Sequence, residues 1–444
     1  MRIKQISVSG LFGIFDHVIP LNIDERITII HGPNGFGKTA ILRILNSFFN
    51  SRYAHLRAIP FRIFRVEFDD NTNVEIIKNA ENADDSETNN IVFNFYKHDS
   101  KPASFALKAV NTRSDREIFL NFESDDMIPV RGQTYPVRTL YSEDYIEFYD
   151  NFLFSNLKSQ EEPDWLEKLK SNIHIRLIES QRLLNFVPNR SSRRSAETPS
   201  MLSTVSAYSD ELAKLMQDKF KEYGTTSQSL DRTFPVRVVK QQPSTDLTDE
   251  QLRHQLNQLE ATRSRLIEVG LLDKDEDSEF QIQPQDIDES TKNALSVYIQ
   301  DVKKKLNVFA DIASKIDLLR KIINNKFAYS YKEINFSKEK GFVVTTSYDS
   351  PLSNSKNLLP TDLSSGEQHE LVLLYELLFK VQPNSLVLID EPELSLHVGW
   401  QVQFLKDLQD ITQLADLNIL MATHSPDIIQ DRWDLTVELK GPQK

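Results

Sequence analysis

The sequence predicts an α/β fold: a mixed sheet with an antiparallel β lobe, split by an α-helical, coiled-coil-like insertion. Three observations carry that expectation. Ile27, Ile29 and Ile30 form a short β-branched run that feeds the glycine-rich stretch Gly32-Pro33-Asn34-Gly35-Phe36-Gly37 and then an apolar helix. The segments LVLIDE, ending at Glu391, and NILMATHSP, ending at Pro426, supply further apolar strands near the other end. Between these ends, Leu295, Val302, Phe309, Ile316 and Ile323 keep strict seven-residue spacing.

Composition narrows the function. The chain has 444 residues, 52 of them Lys or Arg and 65 Asp or Glu, for a net charge of −13. It contains no cysteine, which excludes disulfide scaffolds, Cys-ligated zinc, iron–sulfur clusters and thiol catalysis. That fits a reducing cytoplasm. No stretch approaches roughly 18 uncharged apolar residues, so no membrane span is expected. The opening MRIKQISVSGLFGIFDHV alternates instead of forming a signal-peptide block. The acidic balance argues against a surface coated for nucleic acid, while leaving a local basic patch open.

Taken in order, Ile3, Ile6 and Val8 mark an opening strand, and Val18, Ile19 and Leu21 a second. Residues 60–140 read as antiparallel strands, two of them around the turn Asp70-Asn71-Thr72-Asn73. The acidic tract 81–90 reads as a solvated loop. A helix and a strand follow over 160–185. Residues 187–200 read as a flexible loop; its Arg190, Arg193 and Arg194 suit either a solvated linker or contact with phosphate or an acidic partner. Thr248 with Gln251 is a capping-box start, Leu252, Leu259 and Leu266 recur at seven, and Gly270 is a stop. A second helix of about 40 residues would reach roughly 60 Å. The pair suggests an antiparallel hairpin over about 248–327, either a projecting arm or a compact lid. Residues 328–444 return to α/β. The expected division is therefore a head in two parts, 1–186 and 346–444, around an insertion at 187–345.

Four motifs carry chemistry. Gly32–Thr39 matches GxxxxGK[ST] between a strand and a helix, the context that motif needs. Gly32, Gly35 and Gly37 let backbone N–H groups turn towards phosphates, and the helix N-terminus adds a favourable dipole. Lys38 would reach the β- and γ-phosphates of ATP, and the Thr39 hydroxyl would bind Mg²⁺. Pro33, Phe36 and Ala40 complete this nucleotide-binding segment. Second, a buried strand would deliver Asp390 and Glu391 at its carboxyl end, Asp390 to hold Mg²⁺ and Glu391 to deprotonate the attacking water. Third, Ser364, Ser365, Gly366 and Gln368 in LSSGEQ precede a helix, where they form either an anion-binding surface or a plain cap. Fourth, His424 ends a strand on the same predicted edge, where it can contact a γ-phosphate.

The order of glycine loop, LSSGEQ, LVLIDEPELSLH and ATHSP resembles the heads of ABC-type ATPases, most of all the branch containing SMC, RecF and OLD-family proteins. The resemblance covers about 1–50 and 340–430. It implies that signature residues act in trans, so that two heads of a homo-oligomer sandwich two ATP molecules. Ser364 and Gly366 would then touch the partner's γ-phosphate, and Ser395 could meet the partner head. Ser365 replaces the usual first glycine of that signature, and Thr39 the serine common in this branch. The resemblance also implies Asn34 as a further ligand, and a glutamine that senses the γ-phosphate through Mg²⁺ and water; Gln181 is the candidate. The long spacing between Lys38 and Ser364 is unlike transporter subunits.

OLD-family nucleases carry a Toprim domain after the ATSHP-like strand. Here 18 residues follow Pro426, and the nine histidines show no HNH or HExxH grouping. The chain thus resembles the ATPase half of a two-gene system, nearest to the ATPase subunit of PARIS anti-phage systems, with Septu-type ATPases next. That resemblance implies an ATP-dependent sensor and scaffold that holds a separate nuclease toxin and releases it when a phage-encoded protein is sensed. Two other readings stay open: a RecF- or SMC-like DNA-repair ATPase, with DNA as a partner the charge disfavours, and an ATP-gated assembly protein with little hydrolysis.

Overall fold

The computed structural model describes residues 1–78, 91–97, 101–107, 127–130, 133–136, 162–178, 184–185, 202–240, 248–274, 289–348 and 356–442. The acidic tract 81–90, Gln181 and the loop 187–200 with its three arginines lie outside the described residues. Contacts group the chain into two compact units. One is Met1–Ser180 with Val381–Leu394 and Gln401–Lys444; the other is Gln181–Lys380 with Ser395–Trp400.

The first unit begins with β1 (Ile3–Leu11) and β2 (Phe15–Pro20), and β2 buries every second side chain, Phe15, His17 and Ile19. Then come β3 (Ile27–His31), α1 (Lys38–Phe49) and α2 (Tyr53–Ala58). β4 (Ile63–Phe68), β5 (Asn73–Lys78), β6 (Ile91–Tyr96) and β7 (Ala103–Leu107) extend β1 and β2 into an antiparallel sheet ordered β2-β1-β4-β5-β6-β7. The turn between β4 and β5 is the expected one: Asp70 accepts from Thr72 N at 3.0 Å, and Asn71 is left-handed at φ 60°. A hairpin of β8 (Met127–Val130) and β9 (Gln133–Pro136), helix α3 (Asp164–Asn172) and strand β10 (Ile175–Ile178) follow.

In the second unit, β11 (Leu184–Asn185) and β12 (Leu202–Ser203) pair ahead of α4 (Thr204–Lys240). α5 (Asp249–Glu268) opens on the expected capping box, Thr248 Oγ1 accepting from Gln251 N at 3.3 Å while Thr248 N donates to Gln251 Oε1 at 3.2 Å. Leu252, Leu259 and Leu266 are buried, and Gly270 sits in a left-handed turn at φ 77°. The single long helix expected next is two helices, α6 (Glu289–Asn307) and α7 (Ala310–Phe327). They part at Val308 and Phe309, next to Asn307; Asn and Val are weak helix formers. Phe309 is fully buried there, so the seven-residue register runs through the break unseen.

The antiparallel hairpin expected over 248–327 is also corrected. Lys292 pairs with Asp249 at 2.7 Å, Arg265 with Asp317, and Arg320 with Glu268 at 2.6 Å. The start of α5 meets the start of α6 and its end meets α7, so α5 runs parallel to them. The antiparallel neighbour of α6 is α4, through Lys305 with Asp231 at 2.7 Å and Arg237 with Asp301. A seven-residue apolar period is the same in either direction, so spacing alone does not fix the orientation.

β13 (Lys332–Ser337), β14 (Gly341–Thr346) and β15 (Asn357–Leu358) make a small antiparallel sheet before α8 (Ser365–Tyr375), which continues as a π-helical turn over Glu376–Lys380. Residues up to Lys380 group with the helices because α8 is tied to them. Glu370 pairs with Lys326 of α7, their side chains 0% and 1% exposed, and Glu367 pairs with Lys332 at 2.8 Å.

β16 (Leu386–Asp390), α9 (Val398–Ala415), β17 (Asn418–Ala422), α10 (Pro426–Ile429) and β18 (Thr436–Glu438) complete the chain. β10, β16, β17, β3 and β18, in that order, form an all-parallel sheet in the first unit. β3 and β16 are apolar along most of their length and buried, as a parallel strand covered on both faces must be. One core joins this sheet, α1 and the antiparallel sheet through Phe48, Phe64, Phe93, Leu388 and Leu420. No helix among the described residues is long and apolar enough to cross a membrane.

The Lys326–Glu370 pair gives a stability test. Lys326→Ala alone strands a buried carboxylate and is expected to cost about 3–5 kcal/mol in chemical denaturation, whereas Lys326→Met with Glu370→Leu should be close to neutral. A single variant as stable as wild type would contradict a paired, water-excluded bond.

Candidate nucleotide-binding site

The parallel register builds the site. Asp390 lies beside Ala422, and Ala422 beside Ile30, in one row across β16, β17 and β3. Just beyond that row come Glu391, Thr423-His424 and His31-Gly32. Carboxylates, imidazole and glycine loop therefore emerge on one edge, the carboxyl edge where ligands bind in such sheets.

The loop needs its glycines. Gly37 is at φ 93°, and a Cβ there would collide with Leu11 Cδ2. Phe36, between Gly35 and Gly37, anchors the loop: its ring centroid is 5.1 Å from that of Phe15, and its carbonyl is 2.9 Å from His17 Nε2. Burial lowers the pKa of His17, against the pull of that carbonyl. Gly37 precedes α1 without a side-chain cap, which leaves first-turn N–H groups for an anion.

Lys38 is 5% exposed. Its ammonium donates to the carbonyls of Gly32 at 2.9 Å and Pro33 at 3.3 Å, so it lies curled inside the loop it serves. Burial pulls its pKa below the usual lysine range, and the carboxylates of Glu391, Asp390 and Glu393 oppose that shift. Thr39 Oγ1 donates to Asp390 Oδ1 at 3.1 Å. Burial raises the pKa of Asp390, and the Thr39 hydrogen bond works against it. The hydroxyl and carboxylate are hard oxygen donors meeting at one point, a donor set that fits Mg²⁺. Among the described residues no group of three His, Asp or Glu could hold a metal unaided. An ion here would draw the rest of its shell from phosphates and water, as Mg²⁺ commonly does.

Glu391 follows the end of β16 and adopts φ 43°, a left-handed conformation uncommon for a non-glycine residue. Its N–H donates to Ala422 O at 2.9 Å, which pins the turn to the neighbouring strand. Its Oε1 lies 3.7 Å from His424 Nε2, with both side chains about one-third exposed, so water can reach them.

In the sequence, Glu393 has a place beside Ser395 but no role of its own. Its carboxylate accepts from Thr423 Oγ1 at 2.8 Å and from the His424 backbone N–H at 2.6 Å. The only signal was a second acid two positions after Glu391, and its partners are 30 residues away.

The LSSGEQ residues belong to the second unit. Ser364 caps α8, its N–H donating to Glu367 Oε2 at 2.8 Å while its hydroxyl accepts from Glu367 N at 3.4 Å. Ser364 and Ser365 are exposed, and Gly366 is partly so. Gln368 braces the preceding turn, donating to Leu363 O at 2.7 Å and Thr361 O at 3.1 Å. A Cβ on Gly366 would lie 3.5 Å from Ser395 O, so these two segments are neighbours within that unit.

A glycine loop between strand and helix, a threonine hydrogen-bonded to an aspartate at its foot, and a glutamate that follows the aspartate define a P-loop nucleotide-binding protein. The AAA ATPase domain family matches residues 1–429, and the chain belongs to that family of ATPases. No curated protein matches the chain. Among solved structures it is similar to the SMC head domain with an extended coiled coil bound to the C-terminal domain of ScpA from Pyrococcus furiosus. That pair shares 12% identity over 99% of this chain and 94% of that one, with a TM-score of 0.35. It is also similar to the SMC head domain from Thermotoga maritima, at 10% identity over 97% and 92% of the two chains and a TM-score of 0.31.

Lys38→Ala removes a charged donor and is expected to weaken ATP binding by roughly 10- to 100-fold in a fluorescent-nucleotide titration. Unchanged affinity would contradict this site.

Proposed function

We propose that the chain binds and hydrolyses ATP at this edge, and that two copies close over two nucleotides. The reading is supported above all by the shared row of Asp390, Ala422 and Ile30, which brings the glycine loop, Glu391 and His424 to one edge. The N–H groups of Gly32 and of Asn34 to Thr39, with Ala40 in the same segment, receive the phosphates. The Lys38 ammonium exchanges the Gly32 and Pro33 carbonyls for β- and γ-phosphate oxygens. Thr39 and Asp390 hold Mg²⁺, which neutralises phosphate charge when bound. Glu391 takes the proton of the attacking water, and His424 donates to the γ-phosphate. Ser364, Ser365 and Gly366 at the exposed start of α8 contact the γ-phosphate held by the second copy, with Gln368 bracing them.

The cellular role we propose is that of the ATPase subunit of an anti-phage defence complex, an oligomeric scaffold for a separate nuclease effector that answers a phage-encoded trigger. The motif order resembles PARIS-type ATPases, and the net charge of −13 favours a protein partner over DNA. Such a subunit works in the cytoplasm.

Glu391→Gln is expected to slow ATP turnover by roughly 10²- to 10⁴-fold while nucleotide binding persists. Turnover at the wild-type rate would remove Glu391 from its role. Co-expression with the product of the adjacent gene should yield a stable complex that arrests growth on phage challenge; no complex and no arrest would end the defence reading.

A further inference from the structure

We propose that Glu393 is the positioning residue that sets His424 against Glu391; this rests on the ATPase reading of the same edge. Glu393 stands on the turn directly after Glu391, so the proton acceptor and the brace share one short piece of chain. Both of its carboxylate oxygens are used, on the Thr423 hydroxyl at 2.8 Å and the His424 backbone N–H at 2.6 Å.

The bonds continue into a closed ring. Thr423 Oγ1 accepts from Ser425 N at 3.0 Å, and Ser425 Oγ donates to Gln401 Oε1 at 2.6 Å. Gln401 Nε2 returns to the Glu393 carbonyl at 3.4 Å. Thr423 is itself fully buried, and its N–H donates to Ile30 O at 3.1 Å, the last residue but one of β3. His424 is the one residue of Thr423–Ser425 whose side chain takes no part in the ring. Its backbone is fixed on both sides and its imidazole is left free to work, 3.7 Å from Glu391. A charged acceptor suits this task, because hydrogen bonds to carboxylates are shorter and stronger than those to neutral groups.

The hydrogen bonds of the Glu393 carboxylate go to Thr423 and His424, while only its charge reaches Lys38 and Asp390, so its positioning effect runs through His424. Glu393→Ala leaves the Thr423 hydroxyl and the His424 N–H without their acceptor, and the ring opens. Glu393→Gln keeps one acceptor oxygen and should be the milder change.

The test compares wild type, Glu393→Ala, Glu393→Gln, His424→Ala and the double variant Glu393→Ala/His424→Ala. Steady-state turnover, fluorescent-nucleotide affinity and a thermal melt are measured on each. Glu393→Ala should lower kcat by roughly 10²-fold, the scale of a misplacement of about 1 Å, with nucleotide affinity unchanged. Glu393→Gln should recover part of that loss. In the His424→Ala background Glu393→Ala should add nothing, because the two act as one unit. Losses that multiply in the double variant, or wild-type turnover in Glu393→Ala, would overturn the proposal. A second readout does not depend on catalysis. In histidine-selective NMR the His424 ring resonances, assigned with His424→Ala, should move in Glu393→Ala; unmoved resonances would overturn the proposal even if the wild type proved unable to hydrolyse ATP. That last result would sink the ATPase reading alone.

Discussion

The structure depends first on the parallel pairing of β16 with β17 and β17 with β3. Their common register sets Asp390, Ala422 and Ile30 in one row, with Glu391, Thr423-His424 and the start of the glycine loop one or two residues past it. A slip of one residue in either pairing would turn the acidic pair or the histidine strand to the other face of the sheet. The apolar strands that make this pairing obligatory are thus also what aligns the site. The sheet's parallel sense matters as much, because it brings three strand ends, and so three polar segments, to a single edge.

Two local conformations then shape that edge. Gly37 turns the loop under Leu11 in a backbone state closed to larger residues. Glu391 adopts a left-handed turn, pinned by its N–H to Ala422. Such strain persists where neighbouring structure over-determines it, and here the hydrogen bond to the next strand does so. In the second unit the same logic holds α8. Glu367 caps Ser364 and also pairs with Lys332, while Glu370 is locked to Lys326 in a dry core. The start of α8 is therefore held from behind, with Ser364 and Ser365 exposed in front.

Much of this was legible in the sequence because it is local. A glycine loop requires particular backbone angles at Gly32, Gly35 and Gly37, and a strand buried on both faces reads as a continuous apolar run at Leu386–Ile389. The Thr248 capping box was legible for the same reason. What escaped depends on distant parts of the chain. The parallel course of α5 beside α6 and α7 shows in ion pairs across 43 and 52 residues, and periodicity carries no direction. The break at Val308 hides inside an unbroken seven-residue register. The long helix α4 was missed because its buried residues stop at Met216, so most of its length shows no apolar stripe. Glu393 gave no sign of its task because its partners lie at the end of another strand.

We propose that the active edge of one copy is completed by α8 of a second. Mixing two inactive variants tests this most directly. Lys38→Ala disables the glycine loop and Ser364→Arg blocks the start of α8, so at limiting ATP neither should turn over alone. In a mixed pair, the intact loop of one copy meets the intact α8 of the other. An equimolar mixture should regain up to about a quarter of wild-type turnover, the share of correctly paired sites under random two-fold assembly. A mixture as inactive as its components would contradict it.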